Sequence, residues 1–272
     1  MKWLLLGFLL AANLVAWQQI FLNLESKILN PIFYFLDVGQ GDAQLIDFGP
    51  VEILIDGGPD ARVLNQLEKI LEPTDRYLDL VILTHPQLDH FGGLIDVLER
   101  YQVGKFLDNG RQGTARAYKN LPEADLVLAE GDKIIYGDYE LRVLNPPSPL
   151  REKDLNETSL VILFESPELK VLYTGDIGLK TEETIRKKYK ITADVLKVPH
   201  HGSKNSSGAK FISQVKPTVA IIGVGKNSYG HPHPQTLNRL QQNGALIYTT
   251  LDNGLIKLLA DKNKNLRVST EK

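Results

Sequence analysis

The chain has 272 residues, 43% of them hydrophobic, which suits one large domain with a short extension. A formal net charge of −2 carries no basic footprint of a nucleic-acid binder at the level of composition, although a bound metal ion can still attract phosphate locally. The absence of cysteine excludes disulfide frameworks, thiolate metal sites and a thiol nucleophile, so a metal here depends on imidazole, carboxylate and water.

Residues 1–24 stand apart. Lys2 is their only charge, Asn13, Gln18 and Gln19 interrupt an apolar run, and both tryptophans, Trp3 and Trp17, fall here. Tryptophan favours the membrane interface, and a span needs about 20 mostly apolar residues. The expectation is an N-terminal hydrophobic anchor or signal segment, with the body membrane-anchored outside the cytoplasm or secreted. A single-span anchor, a cleaved signal peptide and a helix packed on the body all remain open.

The body, 31–272, alternates strands and helices. Strands are predicted over 32–38, 43–48 and 51–55, with Gly39-Gln40-Gly41-Asp42 after the first and Asp56-Gly57-Gly58 after the third. Leu64, Leu67, Ile70 and Leu71 repeat with helical spacing over 61–71, and Leu94, Val97 and Leu98 over 94–100. Between them, 78–83 reads as a buried strand. A strand over 103–107 precedes a polar excursion over 110–124. Short antiparallel strands over 126–129, 133–136 and 139–144 follow, then a loop over 146–156. A hairpin is expected over 159–165 and 169–173, a charged helix over 181–190 and a buried strand over 195–198. Further on come a helix over 209–215, a strand over 218–222, a helix over 234–243 and a final hairpin over 245–250 and 254–259. Paired sheets with helices on their outer faces bury such elements. Thr84-His85, Gly175-Asp176, Pro199-His200 and Gly225-Lys226 all follow strands, so a shared sheet edge would converge them on one groove.

All six histidines lie in three short segments: His85 and His90 in T-H-P-Q-L-D-H-F-G-G, His200 and His201 in V-P-H-H-G-S, and His231 and His233 in Y-G-H-P-H-P. His85, Asp89 and His90 place three potential ligands in six residues. His85 suits one divalent ion, Asp89 and His90 a second. Asp176 in Y-T-G-D suits a bridge, because a carboxylate has two oxygens, and His200 would complete one shell. Two adjacent ions acidify a shared water and offset charge on a displaced phosphate.

Residues 32–258 resemble the metallo-β-lactamase fold, and more narrowly the extracytoplasmic hydrolase domain of the ComEC competence proteins. The resemblance rests on F-L-D-V-G-Q-G-D-A from Phe35, L-I-D-G-G from Leu54, L-T-H-P-Q-L-D-H-F-G-G from Leu83 and N-E-T-S-L-V from Asn156. It continues with L-Y-T-G-D from Leu172, A-D-V-L-K-V-P-H-H-G-S from Ala193 and S-Y-G-H-P from Ser228. It implies an α+β fold, a four-layer αββα sandwich, with one or two divalent ions, zinc or manganese, at the sheet edge. The implied metal positions are His85, Gln87, Asp89, His90, Asp176 and His200. Gln87 stands where the family carries histidine or aspartate, and a neutral amide is a poor ligand, so Gln87 is either a weak ligand or a hydrogen-bonding neighbour. Asn156–Ser159 has no histidine where the wider family places one before the bridging aspartate. Asp42 and Asp56 read as structural supports near the site. Catalytic roles fall to Asp89, Asp176, His201 and His231, and the 203–207 loop offers amides and hydroxyls to phosphate.

The expected reaction is metal-dependent phosphodiester hydrolysis, with the chain acting as a nuclease on DNA in uptake or extracellular degradation. Alternatives are a catalytically weak DNA-binding or assembly module of a membrane competence system, and a hydrolase of non-nucleic phosphodiesters. The ComEC-like domain accompanies a channel of many membrane helices. This sequence shows one candidate span, so a separately encoded channel is the expected partner.

Overall fold

A computed structural model describes residues 30–272; the segment expected at 1–24 lies outside the described residues. Among the described residues, no helix is long and apolar enough to cross a membrane.

Both sheets are part antiparallel and part parallel. In the first, β1 (Ile32–Phe35), β2 (Gln44–Asp47) and β3 (Glu52–Ile55) form an antiparallel meander. Helix α1 (Arg62–Ile70) then leads to β4 (Tyr77–Ile82), and α2 (Leu88–Arg100) to β5 (Gln102–Asp108), each strand parallel to its predecessor. The short β6 (Leu126–Val127) extends that parallel run. In the second sheet, β7 (Lys133–Tyr136), β8 (Tyr139–Asn145), β9 (Val161–Glu165) and β10 (Lys170–Tyr173) are antiparallel. Helices α3 (Leu179–Lys188), α4 (Ala209–Val215) and α5 (Pro234–Gln242) connect β10 to β11 (Val195–Lys197), β12 (Val219–Ile222) and β13 (Leu246–Thr249), all parallel. The chain then returns to the first sheet as β14 (Ile256–Ala260), beside β1, and β15 (Leu266–Thr270). The orders are β15-β14-β1-β2-β3-β4-β5-β6 and β13-β12-β11-β10-β9-β8-β7.

Period-two alternation builds the layers. Phe33 and Phe35 of β1 enter the core between the sheets, where Phe33 meets Phe164 edge-on at 4.9 Å and Phe35 stacks on Tyr173 at 6.2 Å. Tyr34 and Leu36 face the other way, into the layer formed with Val63 and Leu67 of α1 and Phe91, Leu94 and Val97 of α2. Ile185, Phe211, Ile212 and Leu240 cover the second sheet in the same way. The result is the expected four-layer αββα sandwich.

Three elements differ from expectation. The final hairpin is not one: a helical turn over Thr250–Asn253 carries the chain between sheets, and β14 pairs with β1 and β15 instead. The strand at 126–127 is parallel to β5 rather than antiparallel to a successor. Helix α2 begins at Leu88 rather than Leu94, so Asp89 and His90 sit on its first turn, where a carboxylate complements the helix dipole. Gly92 and Gly93 argue against a helix by propensity, costing about 1 kcal/mol each relative to alanine. Here they let α2 lie against the 57–59 turn: a Cβ at Gly92 would fall 2.1 Å from the Pro59 carbonyl oxygen, and one at Gly93 2.2 Å from that of Gly57.

Candidate metal centre

The ends of β3, β4, β10, β11 and β12 share one edge of the sandwich, and the connections leaving them supply the polar groups. Asp56 follows β3 with a φ of 59°. Its buried carboxylate accepts hydrogen bonds from the Thr84 backbone N–H and hydroxyl, each at 2.8 Å, and from His90 Nδ1 at 2.8 Å. The Thr84 hydroxyl proton is thereby committed to Asp56. Its oxygen, 3.1 Å from His85 Nδ1, therefore accepts from that ring. His201 Nδ1 in turn lies 2.7 Å from the Gly223 carbonyl oxygen, to which it donates. All three imidazoles are thus held from behind through Nδ1–H, which turns each Nε2 inward.

His90 and His201 face Asp176, which follows β10. Its Oδ1 is 3.4 Å from His90 Nε2 and its Oδ2 is 3.4 Å from His201 Nε2. Asp89 Oδ2 is 3.2 Å from the same His201 nitrogen. The His85 and His90 rings are 4.2 Å apart, and those of His90 and His201 5.5 Å. His85 Nε2, His90 Nε2 and Asp176 Oδ1 are buried with no hydrogen-bond partner. Orphaned buried acceptors are costly unless something else satisfies them, and a divalent cation fits this nitrogen and oxygen donor set. One ligand atom each from Asp42, His90, Asp176 and His201 also falls within 4.8 Å of the others, a cluster capable of coordinating one or two divalent ions.

The electrostatics agree. Burial and the adjacent His90 ring push His85 down to about 3, which keeps it neutral, as a ligand has to be. Burial alone would lower His90, but Asp176 and Asp56 hold it well above the usual imidazole range. Burial alone would raise Asp176, but His201 and His90 hold it well below the carboxylate range. Burial alone would raise Asp89, but the His201 hydrogen bond and the His90 and His201 rings together hold it at about 2. Opposite charges in the cluster thus stabilise each other: the carboxylates favour protonated His90, and the imidazoles favour ionised Asp176.

His85, Asp89, His90, Asp176 and His201 are all brought together. Gln87 precedes α2 and lines a cavity of about 380 Å³ beside the cluster, along with Asp89, Asp176, His200, His201 and His231. The structure separates the adjacent histidines differently from the expected register. His200 and His201 both take left-handed backbone, at φ 52° and 51°, which costs non-glycine residues roughly 1–2 kcal/mol each. That turn swings His201 into the cluster. His200 Nε2 instead lies 3.5 Å from Asn156 Nδ2, so it is the His201 ring, not that of His200, that meets the Asp176 cluster. His231 lines the cavity with its Nδ1 buried and unpartnered.

The 203–207 loop does not line this cavity. The Ser206 hydroxyl donates to the Pro199 and Ser203 carbonyls, and the buried Glu182 carboxylate accepts from the backbone N–H groups of Ser207 and Gly208. Those groups hold the histidine turn rather than face a ligand. Asp42 combines two roles: the buried Lys197 ammonium pairs with its Oδ2, and its partnerless Oδ1 lies 3.7 Å from His201 Nδ1. Sequence reasoning missed Lys197 altogether. The available signal was a lysine inside the apolar strand V-L-K-V, since a fully buried cation needs a partner. It also missed Leu88 and Tyr229, which complete the cavity wall.

Comparison with known proteins agrees with this architecture. A family model described as the metallo-beta-lactamase superfamily matches residues 36–226. ComE operon protein 3 of Bacillus subtilis is 32% identical over 250 residues, covering 82% of this chain and 32% of that protein. Recombination protein 2 of Haemophilus influenzae is 33% identical over 229 residues, covering 82% of this chain and 28% of that protein. The chain thus spans about a third of the length of these curated relatives. Among solved structures, the metallo-beta-lactamase fold protein YhfI from Bacillus subtilis aligns with a TM-score of 0.56 at 13% identity, covering 84% of this chain and all of that one, a likeness of fold. The chain belongs to the metallo-β-lactamase superfamily.

Proposed function

We propose that this metallo-β-lactamase superfamily member hydrolyses phosphodiesters, with DNA as its substrate. The observation that carries the reading is the convergence of the His90 and His201 Nε2 atoms on Asp176, with the His85 ring beside them, next to a cavity that Asp89 and His231 also line. A divalent ion, zinc or manganese, would be held by His85, His90, Asp176 and His201, and when bound supplies charge neutralisation for phosphoryl oxygens and an acidified water. Asp176 reaches both His90 and His201, so it suits the bridging place. Asp89 opens onto the cavity and suits holding the attacking water's proton. Burial and the His200 and His201 rings lower the pKa of His231, so its ring is neutral at physiological pH and donates a hydrogen bond to a non-bridging or leaving oxygen. Similarity to proteins named for competence and recombination supports DNA over other phosphodiesters. In the same reading, the 1–24 segment anchors the body outside the cytoplasm, beside a separately encoded channel.

The test is incubation of the purified chain with single- and double-stranded DNA and bis-p-nitrophenyl phosphate, with and without Mn²⁺ or Zn²⁺. Metal-dependent cleavage is expected. No cleavage of any of them removes the enzyme reading. A binding or assembly module then becomes the better account, a reading favoured by the neutral Gln87 in the motif. Membrane fractionation with protease protection tests the placement.

A further inference from the structure

Tyr229 is unusual among the aromatic residues of the body. It is 72% exposed, yet it lines the same cavity as the metal cluster. Its position is also fixed. The Asn227 side chain braces the loop on both sides: its Oδ1 accepts from the backbone N–H groups of Tyr229 and His231 at 3.0 and 3.1 Å. Its Nδ2 donates to the Gly225 and His231 carbonyls, both at 2.8 Å. The backbone that carries the ring is therefore fixed at the cavity rim. Leu88, on the first turn of α2, is 48% exposed and lines the same cavity.

The rings form a path. His201 and His200 lie 6.4 Å apart, His200 and His231 5.8 Å, and His231 and Tyr229 5.9 Å, the last pair tilted by only 32°. The path runs from the buried cluster to the exposed rim. A ligand that places a phosphate at the cluster thus presents its next group to the Tyr229 face. Among the described residues, no lysine or arginine lines this cavity. Backbone cations, the usual source of nucleic-acid affinity, are absent from its wall, so contact beyond the metals falls to apolar and aromatic surface.

We infer that Tyr229, with Leu88, is a stacking platform for one unpaired nucleobase next to the scissile phosphodiester, which makes single-stranded or frayed nucleic acid the preferred substrate form. The inference rests on the phosphodiesterase reading for its chemistry. Its physical basis is separate: a base inside a duplex has both faces covered and cannot lie on Tyr229, whereas an unpaired base offers a free π-face to any aromatic side chain.

The experiment uses the full chain and three fluorescein-labelled oligonucleotides: a single strand, the same strand with abasic residues flanking one phosphodiester, and the intact duplex. Cleavage with Mn²⁺ is measured for the parent protein, Tyr229→Ala and Tyr229→Phe, and binding by anisotropy without added metal. The expected kcat/KM preference for base-bearing over abasic strand is about 5- to 150-fold, the range that stacking of one base gives. Tyr229→Ala should collapse that ratio and Tyr229→Phe keep it. Equal use of the two strands by the parent, an unchanged ratio in Tyr229→Ala, or preference for the duplex would overturn the platform while leaving the phosphodiesterase reading intact. If nothing is cleaved, that reading fails, and the anisotropy ratio alone decides: tighter binding of the base-bearing strand, erased in Tyr229→Ala, keeps the platform, and equal binding removes it.

Discussion

His90 and His201 each have a buried oxygen behind Nδ1 and share Asp176 between them, whereas on the other flank His85 has a backing hydroxyl but shares its motif with Gln87, whose amide brings no charge. The Asn156 side chain lies on the His200 side, its Oδ1 buried without a partner, in the segment where the resemblance led us to expect a histidine. One flank has its ligands and the groups that orient them. The other has an oriented imidazole and too few anionic partners. Orientation and charge are therefore supplied separately, and a site able to take one or two ions is expected to hold the first much more tightly than any second.

The largest effect that could break this comparison is at the shared residue. Asp176→Ala should strip both positions, dropping bound metal by elemental analysis to well below one ion per chain and abolishing phosphodiesterase activity. Retention of one tightly bound ion would show that the two flanks do not share Asp176. The next test separates the adjacent histidines. His201→Ala should weaken metal binding at the better-furnished flank, while His200→Ala should keep the metal and act on substrate kinetics. A reversed pattern in metal titrations would return the ligand role to His200. Asp56→Asn keeps the shape behind His90 but weakens the acceptor, so metal affinity should fall about 10- to 100-fold, as for other outer-shell partners. Gln87→Asp works in the opposite direction. A charged oxygen on the poor flank should tighten the weaker ion by calorimetry, and an unchanged isotherm would place Gln87 outside the metal shell.

The fold was legible because most strands are either alternating or continuously apolar and end at turn residues. The site was legible because all the histidines were confined to three segments. The failures have specific causes. Which of His200 and His201 turns toward the cluster depends on two left-handed residues, and nothing local in H-H-G predicts two such residues in succession. The start of α2 was hidden because Gly92 and Gly93 look like helix breakers until the 57–59 turn packs against them. The closing strands were misjoined because sequence proximity favours hairpins, whereas here β13 completes a parallel run and β14 belongs to the other sheet. Lys197 and Tyr229 were passed over because a single lysine in a strand, or a single tyrosine in a loop, acquires meaning only from what it faces.

The smallest predicted effect concerns a second group of carboxylates, at the start of β3 rather than its end. Glu52 opens β3 opposite Asp47, and its backbone N–H donates to Asp79 at 3.0 Å. Burial, then Asp75, Asp47 and Asp79, push Glu52 up to about 7 from 4.5. No imidazole or lysine is among the causes of that shift, in contrast to Asp176, which His201, His90 and Lys197 hold down. The two groups should therefore respond oppositely to pH. A carboxyl raised in the folded state binds its proton more tightly there than in the unfolded chain. Its favourable contribution is complete below about 4.5 and is lost as pH rises through about 7. Asp176, depressed in the folded state, contributes above its ordinary value and loses that contribution only in acid. Glu52→Gln removes the first titration without altering the metal centre. Thermal melts of the metal-free chain should show the variant gaining on the parent between pH 4.5 and pH 8, by about 2–4 °C for each kcal/mol of relief. A constant difference between parent and variant across that interval would mean that Glu52 does not hold its proton in the folded chain, and that carboxylates can crowd in this sheet without the cations that the metal centre gathers around its own.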